Sequence, residues 1–171
     1  MGNDNFDVFA IAPADAAHPG TAAATARAGG IGVLDLEFSR NDVRADETFT
    51  RLLAATDARI GLRIDFAHAA LARRLIDNAG DRALTLILTG TPAQQAQTAD
   101  ALAVGGQHRV LAEVIDVADI VHFPFAHHGL VAKGHESGGW VGADTSYILA
   151  QKLLGKTELP VYMQGGIGVH S

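Results

Sequence analysis

Short apolar segments alternate with helix-forming segments along the whole chain, and this alternation is the strongest constraint on its fold. The apolar segments predict seven buried strands, at 6–13, 31–38, 59–66, 82–90, 108–116, 130–134 and 159–166. Six segments between them have helical composition, and Pro124 predicts that the one after the fifth strand is short or broken. Alternating strands and helices with short connections predict a parallel sheet with right-handed crossovers.

Two architectures fit this order of elements. Eight βα units close into a (β/α)8 or TIM barrel, and this chain would then be a barrel truncated after its seventh strand. The alternative is an open, doubly wound sheet. No linker-like segment interrupts the sequence, so we predict one domain over 1–171, which could be the N-terminal part of a larger chain. Because an unclosed barrel exposes strand edges, we also expect a homo-oligomer or completion by another part of a multidomain protein.

Composition and charge argue against several classes of protein. The net charge is −6 with no basic run, so nucleic acid is not an expected partner. The absence of cysteine excludes disulfides and thiolate metal sites, and His127 and His128 lack a third ligand at a recognised spacing, so no metal site is predicted. With neither a signal-peptide pattern nor an apolar run of membrane-spanning length, we expect a cytoplasmic protein without a membrane partner.

Two glycine-rich turns follow consecutive predicted strands. The turn "GHESGGWVG" (134–142) follows the sixth strand and "QGGIG" (164–168) follows the seventh. Ligands of both candidate architectures bind at the carboxyl ends of the strands. Backbone N–H groups in such turns bind phosphate well, although either turn alone could be only a tight connection. Two neighbouring turns favour a phosphate-bearing ligand, and neither a Rossmann fingerprint nor a P-loop is present.

Four motifs in this order, "AIAP", "ARAGGIGVLDL", "LVAKGHESGG" and "LPVYMQGGIG", resemble the nitronate monooxygenase family of 2-nitropropane dioxygenase-like, FMN-binding TIM barrels. That family includes flavin-dependent enoyl-acyl-carrier-protein reductases and domains embedded in polyketide and polyunsaturated-fatty-acid synthases. The segments "GVLDL" and "VAKG" look closest to the synthase-embedded members.

The resemblance implies an FMN lying across the strand ends. Arg63 stands where the family often has an asparagine facing the flavin ring, and Lys133 replaces a common glutamine, where a cation could contact the N1/O2 edge of the flavin. By similarity, the cofactor-binding residues are those at the strand ends and in the two turns: Ala12, Pro13, Arg63, Lys133, Gly138, Gly139, Gly165 and Gly166. From the residues alone, Lys133 could instead pair with Glu136.

The chain departs from the family at the expected catalytic position. Trp140 stands where the family has a histidine that acts as a base in nitronate oxidation, and indole cannot take that role. The catalytic residue is therefore unassigned, with His135, Glu136 and Trp140 as candidates. The alternatives are that Glu136 shapes its own turn, that His135 faces solvent and that Trp140 covers a ligand or packs. Asp35 and Glu37 form a further carboxylate pair, since they share one strand face.

Three functions remain open on the sequence. The first is an FMN-dependent oxidoreductase, of enoyl-reductase or nitronate-monooxygenase type, which takes electrons from NADPH or NADH and acts on an acyl thioester or acyl-carrier-protein substrate. The second is a non-catalytic scaffold or docking module of a multidomain synthase. The third is a flavin-free barrel that binds another phosphate ligand.

Overall fold

The computed structural model describes residues 7–103 and 106–166, in which seven strands form one parallel sheet. The strands are β1 (Phe9–Pro13), β2 (Ile31–Asp35), β3 (Ile60–Ile64), β4 (Thr85–Leu88), β5 (Arg109–Val114), β6 (Leu130–Lys133) and β7 (Val161–Gln164). Each strand pairs in parallel with the next, so the spatial order equals the chain order. A doubly wound sheet would reverse its order at a switch point. That alternative is wrong, and the prediction of a partial TIM barrel is confirmed.

Helices connect the strands on the outside of the curled sheet. They are α1 (Gly20–Arg27), α2 (Asp42–Ala55), α3 (Ala69–Ala79), α4 (Pro92–Leu102) and α5 (Ser146–Leu154). The connection from β5 to β6 is a short 3₁₀ helix, Val117–His122, which ends before Pro124 as predicted. Thr91 caps α4 with a full capping box, and Thr145 caps α5. None of the described helices combines the length and apolarity needed to cross a membrane.

Alternation along each strand divides the core into two layers. On β2, Ile31 and Val33 point into the barrel, where they pack with Ile87, Leu111 and Val131. The next residue, Leu34, belongs to the layer between the sheet and the helices. Because successive side chains of a strand point to opposite faces, every second strand residue faces the barrel interior. The same alternation continues to the carboxyl ends of the strands, where the inward residues are polar.

A polar cluster closes the amino-terminal end of the barrel. The Asp7 carboxylate pairs with Arg59 at 2.6 Å and with Arg109 at 2.9 Å. Arg109 donates a hydrogen bond to the Tyr162 hydroxyl, and the Tyr162 ring packs edge-on against Phe9 with 5.1 Å between centroids. These contacts join β1 to β7 across the interior, so they hold the sheet in its curled form.

Candidate functional site

Arg63 lies at the centre of a buried ion cluster at the carboxyl ends of the strands. Two nitrogens of its guanidinium donate hydrogen bonds to the Glu113 carboxylate, at 2.9 and 3.0 Å, and the guanidinium also donates to Asp35 and Glu37. The Arg63 side chain is 3% exposed and that of Glu113 is 2% exposed. Asp35, Arg63 and Glu113 come from strand ends, because β2, β3 and β5 direct their last inward side chains into the same space. Glu37 lies in the turn after β2, so the prediction that it shares a strand face with Asp35 is wrong, because the strand ends at Asp35. The Arg63 charge is therefore engaged by carboxylates of the protein itself.

The carboxylates of this cluster are held in a dry environment. Burial raises the pKa of Glu113 above its ordinary value, against the opposing effects of Arg63 and Lys133. Burial likewise raises the pKa of Asp35, with the Arg63 charge as the main opposing influence. For Arg63, desolvation is outweighed by Glu113, Asp35 and Glu37, so its pKa is raised and it stays charged. The cluster carries three carboxylates against two cations, Arg63 and Lys133.

Lys133 is fully buried beside this cluster and is not hydrogen-bonded. Its Nζ lies 3.6 Å from Glu113 Oε1, and no described residue offers it a hydrogen bond. The pairing with Glu136 considered from the sequence is wrong, because Lys133 points into the barrel whereas Glu136 turns towards α5. A Cβ added to Gly139 would lie 3.3 Å from the Lys133 Nζ, so the glycine turn covers the ammonium.

Of the four other buried polar atoms that lack a partner among the described residues, two belong to inward-facing residues at strand ends. They are the Oε1 of Gln164, which neighbours Lys133 across the β6–β7 ladder, and the Oγ1 of Thr89, at the end of β4. Unpaired buried polar groups are costly and uncommon in native proteins. Together with Lys133 they mark the mouth of the barrel as a place where a polar ligand would complete the hydrogen bonding.

The two glycine-rich turns lie side by side, as predicted. The Gln164 carbonyl accepts hydrogen bonds from the Gly134 N–H at 3.0 Å and from the Ser137 hydroxyl at 2.8 Å. Gly139, Gly165 and Gly166 have φ angles of 82°, 114° and 61°, in the left-handed region that favours glycine. Gly138 has open space around it. Within the second turn, 167–168 lie outside the described residues.

Glu136 joins these turns to the start of α5. Its Oε1 accepts the Ser146 N–H at 2.9 Å and lies 2.6 Å from the Ser146 hydroxyl. These hydrogen bonds, the hydroxyl foremost, lower the pKa of Glu136. A carboxylate held in this way is a weak base, and the structure agrees with the alternative that Glu136 shapes its own turn. The His135 side chain is 51% exposed and faces solvent.

Trp140 lines a cavity of about 250 Å³ at the ends of β2, β3 and β4. Its neighbours around this space are Glu37, Asp65, Phe66, Ala67, Thr89, Gly90 and Gln94. Trp140 is 45% exposed and Phe66 46% exposed, so both rings present apolar surface there. Pro13 is exposed at the end of β1, whereas Ala12 is in register with Leu34 on the helix-facing side, so only its backbone faces the barrel mouth.

Sequence reasoning missed His68, which joins two strand-end loops. Its Nδ1 bonds Asp65 at 2.5 Å and its Nε2 bonds the Ser39 carbonyl at 3.0 Å. Burial opposes the imidazolium charge, but the hydrogen bonds with Asp65 and Ser39 outweigh it and raise the pKa of His68. Glu113 was predicted to lie near the end of the fifth strand but was given no role, although its alternation with Leu111 placed it on the inward face. Across 7–103 and 106–166, no three His, Cys, Asp or Glu side chains are grouped to hold a metal ion.

Comparison with solved structures supports the fold described above. No family model matches the sequence, and no curated protein matches it. Among solved structures, the chain is similar to a mutant of FabK from Thermotoga maritima, with a TM-score of 0.70 and 20% identity over 94% of this chain and 54% of that one. It is also similar to FabK itself, with a TM-score of 0.68 and 22% identity over 92% of this chain and 50% of that one. The chain thus spans about half the length of these proteins and shares their fold over that half.

Proposed function

We propose that this chain is the flavin-binding part of an FMN-dependent oxidoreductase of enoyl-reductase type. The observation that carries the proposal is the buried Lys133 ammonium beneath two adjoining glycine turns, which has an ion-pair contact with Glu113 but no hydrogen bond to any described residue. The FabK-like fold and the motifs that resemble the nitronate monooxygenase family support the same conclusion. The substrate would be an acyl thioester, free or on an acyl carrier protein, and NADPH or NADH would be the electron donor.

The residues at the barrel mouth fit an FMN in several respects. Lys133 Nζ and Gln164 Oε1 are a donor and an acceptor without hydrogen-bond partners among the described residues, which suits the C=O and N–H groups along one edge of a flavin ring. Gly165 and Gly166 would donate backbone N–H groups to the phosphate. A Cβ on Gly166 would lie 3.0 Å from the Glu136 carboxylate, so the phosphate would approach this turn from its other side.

Binding of FMN requires a local movement of the glycine turn. Lys133 is 0% exposed because the backbone at Gly139 covers it, so contact with the flavin needs this turn to lift or slide. Arg63, by contrast, already donates its hydrogen bonds to Glu113, Asp35 and Glu37, so its role would be to hold these three carboxylates in position. Ala12 and Pro13 would border the ring by their backbone and ring atoms respectively.

The chemistry expected of this site is reduction rather than nitronate oxidation. When bound, FMN supplies hydride transfer. Lys133 would hold negative charge at the flavin edge, and Trp140 would shield the site from water with its exposed ring. The Trp140 indole cannot act as a base, and the hydrogen bonds from Ser146 make Glu136 a weak base. Neither residue is therefore suited to abstract a proton from a substrate.

Titration with FMN tests this function directly. FMN should bind the wild-type protein with quenching of flavin fluorescence, and Lys133→Met should weaken binding by about tenfold or more, as expected for loss of a charge-assisted hydrogen bond. Lys156→Met, which removes an exposed lysine, is the matched control and should bind as wild type. A Lys133→Met affinity equal to that of wild type would contradict the assigned role of Lys133. Oxidation of NADPH driven by an enoyl thioester then tests the reaction.

A non-catalytic scaffold is the second candidate, favoured by Trp140 at the position of the family histidine. In that case the protein would bind neither FMN nor thioester, and analytical ultracentrifugation would show a homo-oligomer or a complex with other synthase domains. Binding of a different phosphate compound at Gly165–Gly166, without FMN binding, would instead identify a flavin-free phosphate site.

A further inference from the structure

The cavity beside Trp140 has a chemistry of its own. Its ionisable lining groups are Glu37 and Asp65, and no lysine or arginine lines it. One oxygen of Glu37 is bonded by Arg63, and one oxygen of Asp65 is bonded by His68. No hydrogen bond from the described residues reaches the second oxygen of either carboxylate. The cavity thus presents acceptors and negative charge, which disfavours an anionic ligand.

Thr89 provides an independent sign of a ligand in this cavity. It lines the cavity, is 0% exposed, and its Oγ1 has no hydrogen-bond partner among the described residues. A buried hydroxyl without a partner carries a desolvation cost that a bound polar group would remove. Since a hydroxyl can accept as well as donate, it can pair with an N–H group of a ligand.

Two of the residues that line the cavity are aromatic. Trp140 and Phe66 are each nearly half exposed, and their rings border the same space. The faces of such rings attract cations, with tryptophan the strongest, and also bury the apolar body of a ligand.

We infer that this cavity binds an organic cation, a protonated amine carried on an apolar or aromatic body. The amine would donate hydrogen bonds to Asp65, Glu37 and Thr89, while its body lies between Trp140 and Phe66. Most of the lining lies at the ends of β2 to β4, and Trp140 belongs to the turn after β6, where a Cβ on Gly139 would approach both Lys133 and Glu37. The cavity therefore adjoins the proposed flavin site, and cation binding is measured on flavin-free protein.

Trp140 is the chain's only tryptophan, so its fluorescence reports on this cavity. Flavin-free protein is titrated with phenethylamine at neutral pH, and with 2-phenylethanol and 3-phenylpropionate as neutral and anionic analogues of similar shape. Phenethylamine should bind with saturation and about tenfold more tightly than the alcohol, because its hydrogen bonds are charge-assisted. The carboxylate should bind most weakly. Equal affinities for the three compounds, or no saturable response to the amine, would overturn the inference.

Variants separate the cavity from general surface charge. Asp65→Asn and Thr89→Val should each weaken amine binding several-fold, measured by calorimetry. Glu47→Gln removes an exposed carboxylate on α2 outside the cavity and should leave affinity unchanged. If Asp65→Asn proves unfolded by circular dichroism, Thr89→Val decides. Wild-type affinity in Thr89→Val, or an equal loss in Glu47→Gln, would count against the site.

Discussion

The two buried cations at the barrel mouth should respond very differently to removal of their charge. Arg63 bonds three carboxylates, while Lys133 makes one 3.6 Å contact and no hydrogen bond. Arg63→Met leaves Asp35, Glu37 and Glu113 without their main partner in a buried site. Lys133→Met replaces a desolvated ammonium with an apolar chain of similar length and leaves the Arg63 bonds intact. The difference in stability between the two variants therefore shows whether the Lys133 ammonium stabilises the fold or is available to bind a ligand.

The magnitudes follow from burial and from the number of bonds lost. Removing one partner of a buried ion pair costs about 3–5 kcal/mol, and Arg63, at 3% side-chain exposure, belongs to this class. For a protein of this size, that loss lowers Tm by roughly 6–20 °C. Lys133→Met removes the desolvation cost of the ammonium, and Glu113 keeps its two bonds to Arg63, so this variant should change the free energy of unfolding by less than about 1 kcal/mol.

Urea unfolding of wild type, Arg63→Met and Lys133→Met measures both values. The pH dependence gives a second check on Arg63→Met. Without the Arg63 charge, the folded-state pKa values of Asp35 and Glu113, already raised by burial, rise further above their unfolded values. Such groups cost stability at high pH and less as pH falls towards the folded pKa, so the deficit should shrink between about pH 7.5 and about pH 5.5. A Lys133→Met loss as large as that of Arg63→Met would refute the reasoning.

Three further predictions concern the turns and the two ends of the barrel. Gly139→Ala should cost about 1–2 kcal/mol in urea unfolding, because φ is 82° there, whereas Gly138→Ala, in open space, serves as control. Because the pKa of His68 is raised in the folded protein, it contributes stability that is complete below about pH 6.5 and is lost as pH rises through the folded pKa. His68→Gln should abolish this loss when the free energy of unfolding is measured across that pH range. Burial opposes the charge of Asp7, but its bonds to Arg109 and Arg59 outweigh this effect and lower its pKa. The stability that Asp7 contributes is therefore lost in acid, and Asp7→Asn should flatten the acid side of the plot of unfolding free energy against pH.

Much of the fold could be predicted from local sequence. Alternation of apolar and helical segments identified all seven strands, and Pro124 marked the irregular connection, because both signals depend on residues close in the chain. The glycine spacing after β6 and β7 predicted two neighbouring turns, since carboxyl ends of adjacent parallel strands meet at one edge.

The partners of the site residues could not be predicted in this way. Arg63 was identified as a strand-end residue, but its bonds reach Glu37 and Glu113, 26 and 50 positions away. Lys133 was expected to face either a flavin or Glu136, and its contact with Glu113 instead joins the inward faces of the neighbouring strands β5 and β6. Asp35 meets Arg63 through the register of neighbouring strands, whereas the Arg63–Glu113 bonds span from β3 to β5 and depend on the curvature of the sheet.

The sequence by itself determined the elements, their order and the polar character of their ends. Only the tertiary structure decided between a doubly wound sheet and a barrel, because both contain the same alternation of strands and helices. The deciding contacts cross the interior: the Tyr162 hydroxyl lies 3.4 Å from the Asp7 carboxylate, 155 positions away in the chain. Contacts over such separations leave no local pattern, and they form only once the sheet has curled far enough to bring its first and last strands together.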